Sequence, residues 1–266
     1  MTRTDLLELQ PVSNAERAEE PRLTLTGHLE ELRRRLAVSL AAVLLGAGMG
    51  LTQAERLIDW LQRPAGGLLG RLVFFSPLEP LEAYLRVGVL AGVLFAMPIV
   101  LWQVWVFVRA GLTERERRLG VVFVAWGSAQ FLLGVAAAYT LFLPAALRFL
   151  LSIGSWYLEP VVSVGRYLAF VTTILWWSGV VFELPVVLWL LAAAGVVTVA
   201  WLRQQRPYAL LILVIIAAVV TPTTDPVNLA LLAGPLAGLY ELSIVLIALT
   251  GRPRRAGLQH SPEGRS

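Results

Sequence analysis

The stretch WWSGVVFELPVV, Trp176 to Val187, sets a single carboxylate, Glu183, inside a run that otherwise reads as lipid-facing helix. A charged side chain at the centre of a bilayer costs about 2.5 to 3.5 kcal/mol on insertion scales, so an acid kept there faces protein or a watery cavity. Three kinds of chemistry suit such a group: keeping the cavity hydrated, receiving a polar group from a partner's membrane helix, or titrating with a proton gradient. The plainer reading is a hydrogen bond that secures helix packing. Gln103, also inside an apolar run, is a candidate partner.

Two further stretches carry acids at the ends of apolar runs. In HLEELRRRL, His28 to Leu36, Glu30 and Glu31 precede Arg33, Arg34 and Arg35. Acids in an opening turn complement the helix dipole, and Glu30 with Arg34 and Glu31 with Arg35 are spaced as i,i+4 pairs. In LWQVWVFVRAGLTERERR, Leu101 to Arg118, Trp102, Trp105 and Phe107 suit a membrane interface, and Glu114 and Glu116 sit among Arg115, Arg117 and Arg118. Alone, the first reads as a well-capped anchor and the second as a charge-balanced loop. Together they place carboxylates beside apolar residues on one face of the membrane. That layout suits a ligand in which arginines lead into an apolar helix, because guanidinium and carboxylate pair bidentately and so discriminate arginine from lysine.

Other chemistries are excluded by what the chain lacks. It has no cysteine, hence no disulfide or thiolate site, and its two histidines, His28 and His260, lie outside the apolar runs. No HExxH or GxSxG motif and no pair of intramembrane aspartates occurs, so the chain does not read as an enzyme. No cofactor, metal or nucleic-acid partner is implied.

The elements that position these acids are membrane helices. The chain is 57% hydrophobic and 15% charged, with a mean hydropathy of +0.71, which puts it in the membrane class. Apolar runs predict six spans, near Leu36 to Thr52, Tyr84 to Val108, Leu119 to Phe149, Tyr167 to Trp201, Tyr208 to Val220 and Val227 to Leu249. The third and fourth exceed what a membrane needs, so their ends should project, whereas the fifth is short and should thin the bilayer around it. An even count puts both termini on one side. That side holds 16 of the 22 arginines, which makes both termini cytoplasmic. Residues 1–25 read as a polar, flexible N-terminal segment with no removable signal peptide, 26–250 as one membrane domain, and 251–266 as a disordered tail. Prolines 98, 144, 185, 207, 222 and 235, in or beside the spans, favour bent helices. The GxxxG spacing of Gly46 and Gly50 marks a candidate helix contact.

A resemblance sharpens this reading. HLEELRRRL, SPLEPLEAYLRV, QVWVFVRAGLTERERR, FLLGVAAAYTLFLP, YLAFVTTILWWSGVVFELPVV, LRQQRPYALL and TPTTDPVNLALLAGPLAGLYEL resemble, in order, successive segments of the TatC family, from about residue 26 to residue 249. The resemblance implies an all-α fold of six transmembrane helices in a concave, glove-like bundle. It implies a subunit of the twin-arginine translocase that recognises Arg-Arg signal peptides in the bacterial cytoplasmic membrane and moves folded proteins with the proton gradient. The partners it implies are TatB or TatA single-span subunits in an oligomeric complex. By the same resemblance Glu31 and Glu116 meet the signal peptide's arginines, with Leu32, Arg33, Leu112 and Arg117 shaping the site. Glu183 matches the family's acid in the fourth span, and Pro64, Pro80 and Asp225 match positions in external loops. The chain departs from the family pattern at Ala110, where proline is usual, and at Leu229, where glutamine is common. The alternative from another class is a proton-coupled transporter of a small solute using Glu183, but no internal repeat supports it.

Overall fold

The structure, a computed structural model, describes residues 25–65, 70–109, 114–153, 161–220 and 226–250. In chain order its helices are α1 (Leu25–Thr52), α2 (Ala54–Gln62), α3 (Glu79–Val108), α4 (Glu114–Arg117), α5 (Gly120–Ala137), α6 (Leu143–Ser152), α7 (Val164–Phe182), α8 (Leu184–Ala193), α9 (Val199–Gln204), α10 (Arg206–Val220) and α11 (Pro226–Thr250). The sole β-like contact among the described residues is a parallel bridge between Val73 and Ser163.

Small residues govern how α1 meets α3. The Gly46 and Gly50 pair faces a second GxxxG, Gly88 and Gly92, and the backbones approach until no side chain fits between them. A Cβ on Gly92 would lie 2.5 Å from the Val43 carbonyl oxygen, and one on Gly46 would lie 2.9 Å from the Gly92 carbonyl oxygen. Close backbone approach is how membrane helices gain packing energy where lipid is as apolar as the side chains. Leu40, Leu44 and Leu45 on α1 remain exposed, as a lipid-facing surface requires.

Prolines account for the interruptions of the later helices. Pro185 has no N–H to offer the carbonyl one turn back, so α7 stops at Phe182 and α8 starts at Leu184, with Glu183 at the join. Pro144 acts similarly: a π-turn over Ala138–Phe142 separates α5 from α6. Both pairs still continue as single spans, over Gly120–Ser152 and Val164–Ala193.

The expected run from Tyr167 to Trp201 is shorter as a helix. Gly195 adopts φ 77°, the left-handed conformation that closes helices, and the amides of Gly195 and Val196 donate to the carbonyls of Ala192 and Leu191 at 3.0 and 2.9 Å. Trp201 therefore belongs to α9, whose first turn is capped by the Thr198 hydroxyl. Hydropathy continues across this turn, which is why the run hides it.

Among the described residues, five helical stretches are long and apolar enough to cross a membrane, and the apolar part of α10, Arg206–Ala218, is shorter. The core lies between α3, α5 and α7, where Trp105, Phe131, Leu168, Val171 and Leu175 are fully buried. The result is an all-α membrane fold.

Candidate functional site

One end of the bundle gathers the start of α1, the end of α3, and α4. Arg35 on α1 spans the first two: its Nη1 donates to Gln103 Oε1 on α3 at 3.1 Å, and its Nη2 donates to Glu31 Oε1 at 2.9 Å. Of the two expected i,i+4 pairs, Glu31 with Arg35 forms and is extended to a second helix, whereas Glu30 and Arg34 form no ion pair among the described residues. Glu31 and Arg35 side chains are 28% and 25% exposed, so the carboxylate is held in place yet reachable from solvent. Leu29, Leu32 and Arg33 beside it are exposed.

Arg117 fixes α4 to the same end. Its Nε donates to the Arg109 carbonyl, the C-cap of α3, at 3.1 Å, and its Nη1 lies 3.5 Å from Glu114 Oε1. A cation on the last carbonyls of a helix is favoured by the dipole. Leu112 and the side chain of Glu116 lie outside the described residues. The arrangement on the page offers one oriented, accessible carboxylate, exposed leucines and an α4 segment tied down by an arginine.

A second polar centre sits deep between α5 and α7. Glu183 is 7% exposed, and neither of its carboxyl oxygens has a hydrogen-bond partner among the described residues. Space for the group is made by Gly127 on α5, where a Cβ would come 3.2 Å from Glu183 Oε2 and 2.7 Å from Leu101 Cδ1. The hydroxyls of Ser128 and Ser178 are likewise buried and unpartnered among the described residues. Gln103, a candidate partner for Glu183, is instead engaged by Arg35. The amide that does serve the helix break is Gln130, whose Nε2 donates to the Phe182 carbonyl at 3.2 Å. Gln130 escaped the sequence reading; its signal was a lone glutamine inside the apolar run GSAQFLLG.

Comparison with known proteins decides which family this geometry belongs to. The chain matches the family model described as Sec-independent protein translocase protein (TatC) over residues 27–235. It is 36% identical over 246 residues to the Sec-independent protein translocase protein TatC of Koribacter versatilis, covering 89% of this chain and 90% of that one. The TatC protein of Carboxydothermus hydrogenoformans is 34% identical over 228 residues, covering 86% and 94%. The chain belongs to the TatC family. A crystal structure described as the twin-arginine translocase receptor TatC in DDM superposes with a TM-score of 0.74 at 35% identity, over 82% of this chain and 98% of that one. Membership makes this TatC protein a multi-pass membrane protein and a subunit of the Sec-independent translocase.

At the opposite end of this TatC chain, α2 and the loops form a cap held by tyrosine hydroxyls. Tyr167 donates to the Leu61 carbonyl and Tyr139 to the Trp60 carbonyl, each at 2.8 Å, and Trp60 stacks on Tyr139 at 3.9 Å. Pro64 lies in the short 3-10 turn after α2 and Pro80 in the first turn of α3, where a missing N–H costs nothing. Beside Pro80, Glu79 accepts a hydrogen bond from buried Ser163, the N-cap of α7. Both prolines thus sit in helical turns that shape the cap. Asp225 lies outside the described residues.

Proposed function

We propose that the chain is the receptor subunit of a twin-arginine translocase in a bacterial cytoplasmic membrane, with six spans and both termini cytoplasmic. The signal peptide's arginines bind the carboxylates of Glu31 and Glu116, while Leu32, Arg33, Leu112 and Arg117 shape the surface around them. The apolar segment that follows the arginines then enters a cavity in the membrane. Single-span TatA or TatB subunits complete the path for folded cargo, driven by the proton gradient, and Glu183 supplies the polar group within the bilayer.

The observation that supports this reading best is the state of Glu31. An isolated surface ion pair contributes at most about 1 kcal/mol, so holding the carboxylate against Arg35 costs an incoming ligand little to displace. A guanidinium arriving from solvent meets an acid already oriented by a frame that reaches across to α3. The exposed leucines alongside suit the apolar stretch that follows the arginines. Arginine's planar fork matches a carboxylate in a way lysine's ammonium does not.

The test is binding of an Arg-Arg signal peptide, beside its Lys-Lys twin, to purified wild type and to Glu31→Ala/Glu116→Ala in mild detergent. Tight Arg-Arg binding that weakens at least tenfold with either change supports the receptor role. Equal, weak binding of both peptides to both proteins refutes it.

A further inference from the structure

Between α3 and α7 runs a groove of about 440 Å³, lined on one wall by Arg86, Val89 and Val93 and on the other by Thr173, Trp176 and Trp177. Its volume falls in the range of ligand pockets, and it is an open groove rather than an enclosed cavity. Val89, Trp176 and Trp177, which line it, are exposed. The cation is the unusual member. Arg86 is exposed and enters none of the ion pairs or hydrogen bonds among the described residues. Glu82, one turn before Arg86 on α3, forms no ion pair with it among the described residues, and two other acids at this end are engaged, Glu79 with Ser163 and Glu55 with the Tyr84 hydroxyl at 3.1 Å.

Depth identifies the missing anion. At 1.5 Å per residue the 30 residues of α3 span roughly 45 Å against roughly 30 Å of hydrocarbon, so about 7 Å projects at each end of a centred helix. Arg86, seven residues after Glu79, then lies about 3 Å inside the hydrocarbon edge, within snorkelling reach of the headgroups. The anion found at that level on either side of a membrane is a lipid phosphate. Below it the groove is walled by valines and tryptophans, which suit a hydrocarbon chain.

We propose that this groove seats one acyl chain of a phospholipid whose phosphate pairs with Arg86. A transmembrane helix of a partner protein could also fill the apolar part; the lipid is the favoured occupant because its phosphate is the anion present at that depth all around the protein. The bound lipid serves as a removable wall of the bundle, shielding Trp176 and Trp177.

The two tryptophans provide the readout. Delipidated protein in neutral detergent is titrated with phosphatidylglycerol carrying brominated chains, which quench tryptophan on contact, and with brominated diacylglycerol as a chain-matched control lacking phosphate. Wild type should show a saturable quench that disappears in Trp176→Phe/Trp177→Phe. Arg86→Gln should weaken that component at least fivefold, to the level of the diacylglycerol control, and Val89→Phe, which fills the groove without adding a tryptophan, should abolish it while helicity and elution volume stay unchanged. The proposal is overturned if diacylglycerol quenches as well as phosphatidylglycerol, if Arg86→Gln leaves the titration unchanged, or if the component survives loss of both tryptophans. Failure of signal-peptide binding would leave this result untouched, since Arg86 and Glu31 lie at opposite ends of the bundle.

Discussion

Arg35 and Gln103 stand 68 positions apart in the chain and meet at 3.1 Å, the one side-chain hydrogen bond between α1 and α3 among the described residues. Because the same guanidinium holds Glu31, the orientation of this carboxylate depends on a residue of another helix. Packing of the glycines sets the distance between the helices; this bond sets how the end of α1 is turned.

Gln103→Leu should therefore loosen the start of α1. A hydrogen bond to a charged group contributes about 1.5 to 3 kcal/mol, reduced here by the partial exposure of Arg35. A melting midpoint lower by a few degrees in detergent, with weaker Arg-Arg peptide binding, is expected. Gln103→Glu keeps an acceptor for Arg35 and should retain the melting midpoint. If Leu and Glu at this position melt alike, the bridge is not what orients α1.

The glycine interface makes a sharper steric prediction. Gly92→Val places branched carbons where the Val43 carbonyl and the Ala47 amide already stand 2.5 and 2.6 Å from a Cβ, so α1 must move away. Overpacking of this kind costs typically about 1 to 3 kcal/mol, more where the obstacle is backbone. Gly48 lies on the same helix as Gly46 with nothing within 4 Å of its Cβ position, and Gly48→Val is the control. Membrane accumulation should fall for the first and hold for the second.

Much of this was legible beforehand, and the exceptions share a cause. Hydropathy locates the apolar runs because lipid imposes length and composition on any span. The i,i+4 spacing anticipates Glu31 with Arg35, and GxxxG anticipates one half of the glycine contact, since both depend on a single helix. Gln103 with Arg35, Gln130 with the Phe182 carbonyl, and the second half of the glycine contact depend on which helices become neighbours. Periodicity within one segment does not carry that information. The end of α8 was hidden for a different reason: Gly195 changes the backbone without changing hydropathy.

At the α2 end, burial separates two otherwise similar tyrosines. Tyr167 is 3% exposed and its hydroxyl bond to Leu61 is buried, whereas the matching bond from Tyr139 to Trp60 is exposed to solvent. Removing a donor from a buried carbonyl costs about 1 to 3 kcal/mol, while water can replace it at an exposed one. Tyr167→Phe should lower the melting midpoint clearly more than Tyr139→Phe. Equal shifts would mean that water reaches the Leu61 carbonyl.

At Glu183 the cost of burial lets a packing role be separated from a transport role. Its two carboxyl oxygens are buried without partners among the described residues, and an unsatisfied buried polar group carries a penalty of about 1 to 3 kcal/mol. Glu183→Met keeps the length of the side chain and removes both oxygens, so the protein should melt higher, with Gly127 still leaving room for the thioether. Glu183→Gln keeps the shape and hydrogen-bonding capacity but cannot ionise. If the acid is kept for transport, both variants should lose at least tenfold in export of a folded cargo into inverted membrane vesicles, with Arg-Arg peptide binding intact. A Met variant that melts lower than wild type would instead assign the carboxyl to packing between α5 and α7. Retained export by both would remove Glu183 from the transport step altogether.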